Sequence, residues 1–172
     1  AGSLTVPALY WLGKELERAA RRPLRGMAIV AAAVLAGLYW HISFSRVGIE
    51  PILVPLDAIL LAGFLWRGLR TRRAIDFALS GFFLGLSPYT YPAGRLLPFL
   101  VLAFLAYVGL VDRARLRPLG RHLLLFGAVA LLTFLPLGIT FARTPELLTL
   151  RTRQVAVFAE GGQSEPAGNS AV

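Results

Sequence analysis

Two short segments of this chain set a guanidinium among ring groups: His41-Ile42-Ser43-Phe44-Ser45-Arg46 and Tyr89-Thr90-Tyr91-Pro92-Ala93-Gly94-Arg95. Arginine holds a phosphate through two parallel charge-assisted hydrogen bonds, a geometry that lysine lacks. Imidazole and phenol groups at the same depth add polar contacts. The chemistry on offer is recognition of a phosphorylated headgroup at a membrane surface. A plainer reading has Arg46 and Arg95 snorkelling to outer lipid headgroups while Trp40, Tyr89 and Tyr91 form an aromatic girdle. Glu50, just beyond Arg46, either pairs with it or acts on a substrate hydroxyl. Arg143, Arg151 and Arg153 add later cations on the same side. With two histidines and no cysteine in the chain, no zinc site is expected. The sequence requires no cofactor, and it does not say whether a divalent cation takes part.

Composition says what must position these groups. Of the 172 residues, 56% are hydrophobic and only 16% charged, and mean hydropathy is +0.66. That is the balance of a polytopic membrane protein rather than of a soluble core. A net charge of +9 would suit nucleic acid, but nucleic-acid binders gather their basic residues on one face of a folded domain. Here the basic residues fall at the ends of apolar runs, so nucleic acid is not the expected partner. The lipid bilayer is.

Five apolar runs approach the roughly 20 residues that a membrane span needs: residues 26–45, 49–66, 75–91, 96–111 and 122–141. Residues 4–12 look like the end of a sixth. Backbone amides in hydrocarbon must be bonded within their own segment, so runs this apolar are helices. The expectation is an all-α, multi-pass bundle with five full spans and one partial span. Of the 18 lysines and arginines, 13 cluster at 14–25, 67–73 and 113–121, which the positive-inside rule assigns to the cytoplasm. Arg46 and Arg95 then face outward.

Small residues four apart, at Gly81 and Gly85, Ala32 and Ala36, and Ala33 and Gly37, suit close helix packing. Asp57 sits near the middle of a span, where an ionised side chain is costly, and marks either a functional path or a buried partner. Asp76 reads as a counter-charge for the arginines beside it. Thr144-Pro145-Glu146 has the form of a helix start, giving a short interfacial helix near residues 145–157. Residues 1–159 thus form the membrane core, and 160–172, rich in Gly, Ser, Gln and Pro, a flexible outer loop.

Taken in order, the segments Gly2-Ser3-Leu4-Thr5-Val6-Pro7-Ala8-Leu9-Tyr10-Trp11-Leu12-Gly13-Lys14-Glu15-Leu16, His41-Ile42-Ser43-Phe44-Ser45-Arg46-Val47-Gly48 and Gly85-Leu86-Ser87-Pro88-Tyr89-Thr90-Tyr91-Pro92-Ala93-Gly94-Arg95 resemble bacterial membrane glycosyltransferases of the GT-C type. These are akin to dolichyl-phosphate-mannose protein mannosyltransferases and aminoarabinose transferases. The resemblance covers nearly the whole chain and implies a multi-pass protein of the bacterial plasma membrane. Such enzymes move a sugar from a polyprenyl phosphate carrier to an acceptor on the outer face. The resemblance gives Arg46 and Arg95 the phosphate, and Tyr89 and Tyr91 the sugar or carrier. It places the catalytic acid in an outer loop ahead of Ala1, with Glu50 an approximate match for a second acid, and so implies that these 172 residues alone are inert. A transporter or flippase-like lipid carrier built from the same hairpins is the alternative.

Overall fold

The computed structural model describes residues 2–20, 25–47 and 53–143, which are helical with no strand among them. In chain order the helices are α1 (Gly2–Ala19), α2 (Met27–Gly37), α3 (Tyr39–Val47), α4 (Leu53–Thr71), α5 (Ala74–Thr90), α6 (Leu97–Val111), α7 (Arg113–Leu116) and α8 (Gly120–Arg143). Tight 3-10 turns at Pro92–Leu96 and Arg117–Leu119 lead into α6 and α8. The chain divides into two compact units, Ala1–Phe134 and Leu135–Val172, and the packing below lies within the first.

Two stretches, Ala93–Val111 and Arg117–Thr140, are long and apolar enough to cross a membrane. The pair Met27–Gly37 and Tyr39–Arg46 makes a third if the two are taken as one span, bent by 58°. This is fewer than the five full spans and one partial span expected. The other apolar runs do fold as helices, but they are short or charged. Helix α4 carries Asp57, Arg67 and Arg70 within its 19 residues. Helix α5 has 17 residues with Asp76 in its first turn. Helix α1 runs on past residue 12 through Lys14, Glu15, Glu17 and Arg18.

The bend falls where the sequence changes character. Up to Gly37 the helix is uniformly apolar. From Tyr39 onward His41, Ser43, Ser45 and Arg46 are mixed with Trp40 and Phe44, so α3 is amphipathic and suits an interface better than hydrocarbon. Leu38, with φ −71° and ψ 119°, leaves the helical region and breaks the run.

Side-chain contacts fix how the helices run. Trp11 lies on Gly63 and on Phe64, with ring centroids 4.9 Å apart, and Glu15 reaches Arg70, so α1 and α4 are parallel. Ser80 donates to the Leu61 carbonyl at 3.0 Å and Arg67 meets Asp76 at 3.0 Å, which makes α4 and α5 antiparallel. Phe77 packs on His122, with centroids 5.4 Å apart. Gly81 and Gly85 lie against the carbonyls of Phe126 and Ala130. Any side chain at those two glycines would push α8 away, and the pair thus forms the α5–α8 seam that its spacing suggested. Gly13 approaches Ala28 in the same manner on the α1–α2 side. Ala33 and Gly37 instead face outward. The core is built from Leu61, Leu65, Leu69, Phe77, Val101, Leu119 and Phe126. In lipid such a core is held by close packing and hydrogen bonds rather than by transfer from water.

These directions sort the charges. The described members of the three basic clusters share one end of the first unit, at the C-terminal ends of α1, α4 and α6 and the starts of α2, α5 and α8. The turns bearing Arg46 and Arg95 lie at the other end.

Candidate functional site

The end opposite the basic clusters is assembled from two pieces. In the first, α5 closes with its own hydroxyls: Ser87 Oγ donates to the Leu84 carbonyl and Thr90 Oγ1 to the Ser87 carbonyl, both at 2.8 Å. Tyr91 is extended, and the Gly94 N–H donates back to its carbonyl at 2.8 Å. Gly94 is pressed on the Ser87 carbonyl, where a Cβ would collide with backbone. The turn therefore folds back onto the last turn of α5 and holds Arg95 at its exposed rim. Tyr89 is 43% exposed, with its hydroxyl donating to the Thr133 carbonyl of α8 at 3.0 Å. That bond ties the ring to α8. Tyr91 is half-buried beside it.

The second piece is α3, packed on α1 and α2. His41 Nε2 lies 3.0 Å from the Gly2 carbonyl, so this nitrogen carries the proton and donates. Gly2 also lies directly on Ser45. Tyr39, Trp40 and Phe44 form an exposed aromatic row, with centroids 6.0 and 5.7 Å apart. Arg46 is exposed in the last turn. The two guanidiniums thus share an end while standing on separate supports, α3 on α1 and α2, the 92–96 turn on α5 and α6.

Of the remaining expected site residues, Arg143 is the last residue of α8 and exposed. Glu50, Arg151 and Arg153 lie outside the described residues, as do the interfacial helix near 145–157 and the outer loop at 160–172. Among the described residues no group of three or more His, Cys, Asp or Glu is placed to hold a metal ion.

One acid lies apart from all others described. Asp57, about one turn inside α4, is only 4% exposed, and neither carboxylate oxygen has a hydrogen-bond partner among the described residues. Burying a carboxyl group without partners is expensive in any apolar setting. Asp57 is therefore the least satisfied group at this end.

The basic end contains what sequence reading missed. Glu15, 2% exposed, receives Arg18 at 2.6 Å and Arg70 at 2.5 Å. Glu17 accepts from the Ala28 N–H at 2.9 Å and from Lys14 at 3.0 Å, tying α1 to the start of α2. Those contacts, the backbone N–H first and the Lys14 ammonium second, hold the Glu17 carboxyl below its ordinary value. Asp76, fully buried, pairs with Arg67 and accepts from Thr71 at 3.0 Å, the counter-charge role its position suggested. The i,i+3 spacing of Lys14 with Glu17 and of Glu15 with Arg18 was a legible signal. The Arg70 partnership, 55 residues away, was not.

Between α1, α4 and α6 an apolar cleft of about 380 Å³ is lined by Leu12, Leu61, Leu65, Trp66, Val101 and Phe104, among others. Compared with protein-family models, with curated proteins and with solved structures, the chain matches none.

Proposed function

We propose that this chain is the membrane core of a glycosyltransferase that draws a sugar from a polyprenyl phosphate donor at the end bearing Arg46 and Arg95. On this reading α2 with α3, α4, α5, α6 and α8 are five crossings and α1 a sixth, partial one. Basic clusters then lie in the cytoplasm, and transfer takes place on the outer face of a bacterial plasma membrane. The observation that carries the proposal is the 87–95 turn. Its backbone is locked by Ser87, Thr90 and Gly94, so that Arg95 and the Tyr89 ring are held ready at the rim. A positioned guanidinium is what a departing phosphate needs, because preformed charge costs no reorganisation as negative charge develops.

Arg46 on α3 supplies a second cation at the same end, and the exposed row Tyr39, Trp40 and Phe44 sets α3 at headgroup level. The cleft between α1, α4 and α6 offers a prenyl tail a dry apolar surface. Tyr89 contributes its ring face, since its hydroxyl is engaged with Thr133. The acceptor base is assigned to no described residue.

A second reading, a lipid carrier or proton-coupled transporter, draws on Asp57, whose buried oxygens have no partner among the described residues. Proteoliposomes containing the intact protein separate the two. Arg95→Ala and Arg46→Ala should abolish release of sugar from a polyprenyl-phosphate donor, while Asp57→Asn retains it. A wild type that releases no sugar but moves the lipid phosphate across the bilayer, with that movement lost in Asp57→Asn alone, would replace the transferase by the carrier.

A further inference from the structure

The basic end does not spend its arginines evenly. Glu15, Glu17 and Asp76 take up Lys14, Arg18, Arg67 and Arg70 in internal pairs. Asp112, at the C-terminal end of α6, is the one further acid described there. Exposed guanidiniums remain at Arg25, Arg72, Arg73, Arg113, Arg117 and Arg121.

Four of these converge. Arg72 and Arg73 form the α4–α5 turn, while Arg117 and Arg121 bracket the start of α8. Helices α5 and α8 run parallel in a constant register, Phe77 on His122, Gly81 on Phe126 and Gly85 on Ala130. They therefore begin side by side at one level, and their positive N-terminal ends add to the field of the arginines.

A second observation singles out Arg72. It terminates α4 with φ of 58°, its N–H donating to the Gly68 carbonyl at 2.8 Å, and it is the one non-glycine residue described with a positive φ. Glycine is the usual occupant of this left-handed capping position, since a side chain there is strained. An arginine kept at a strained, exposed site, paired with no carboxylate among the described residues, points to use of its side chain.

We infer that Arg72, Arg73, Arg117 and Arg121 form a binding site for the phosphodiester headgroup of an anionic phospholipid in the leaflet on the basic side. Clusters of arginines at helix ends on one side of a membrane protein are suited to such headgroups, and the two turns bring four to the same level. This site is separate from the transferase end and does not depend on that reading.

Native mass spectrometry of the full chain released from nanodiscs tests it, with phosphatidylglycerol or cardiolipin compared with phosphatidylcholine. The chain should retain anionic lipid preferentially. Arg72→Gly relieves the backbone strain, so it should fold at least as stably in detergent while losing affinity for anionic lipid about fivefold. Arg117→Gln with Arg121→Gln should lose more. Arg25→Gln, exposed at the same end on the α1–α2 side, should keep wild-type retention. Equal losses with Arg25→Gln would mean diffuse surface charge and overturn the site. So would undiminished retention in Arg72→Gly and the Arg117/Arg121 pair, or displacement of the lipid by millimolar inorganic phosphate, the mark of a solution-anion site.

Discussion

The two ends of the first unit treat charge in opposite ways. At the basic end, buried carboxylates are met by guanidiniums across helices, Glu15 by Arg70 and Asp76 by Arg67. At the other end hydroxyls, rings and backbone carbonyls do the bonding, through Ser87, Thr90, Tyr89 and His41. The one carboxylate described there, Asp57, has no partner among the described residues. The first pattern is a clamp that holds helix ends together. The second is a scaffold that fixes backbone while keeping Arg46 and Arg95 at an exposed rim.

The comparison breaks first at the clamp. Asp76→Ala, which would strand the partly exposed Arg67, should cost about 2–3 kcal/mol, below the range for removing one partner of a fully buried pair. Glu15→Ala should follow, reduced because Arg18 and Arg70 are partly exposed and screened. Thermal unfolding in detergent measures both, and neither should alter the headgroup preference of the opposite end in the fraction that stays folded.

A smaller loss is expected along the seam. Gly85→Val, forced against the Ala130 carbonyl and Thr133, should cost about 1–3 kcal/mol by overpacking. It should also disturb the 87–95 turn, weakening donor binding where Asp76→Ala does not. Tyr89→Phe is smaller again, about 1 kcal/mol for one hydrogen bond. Because the ring stays, donor binding should be nearly unchanged.

The smallest effect is a pH dependence confined to the clamp. Glu17 has its carboxyl below the ordinary value of 4.5, so the stability it contributes is complete above that pH. It is lost as pH falls through the lowered value. Unfolding temperature followed from neutral to acid pH should show a shallower acid limb in Glu17→Gln.

Much of this contrast was legible in the residue order. Helices α5, α6 and α8 begin and end within a few residues of the apolar runs, because Pro, Gly and Arg punctuate them sharply. Gly81 and Gly85 announced a close seam because only small residues let backbones touch. What the sequence hid was relational. The Glu15–Arg70 pair joins residues far apart in the chain, and nothing local marks it. The break at Leu38 lacks a proline, and only the change in polarity from Tyr39 onward hinted at it. Span number was not legible, because apolar runs and arginine clusters look alike whether a helix crosses fully or stops short. Nor did anything local mark the bond from the Tyr89 hydroxyl to the Thr133 carbonyl, 44 residues away.

The central claim is that the end where hydroxyls, rings and backbone carbonyls do the bonding holds a phosphate on Arg46 and Arg95. Its most direct test is binding of a polyprenyl phosphate to the chain in nanodiscs, wild type against the Arg46→Gln/Arg95→Gln double variant. Without the two charge-assisted guanidinium–phosphate interactions, binding should weaken by roughly a hundredfold or more. Equal affinity in the two proteins would contradict the account.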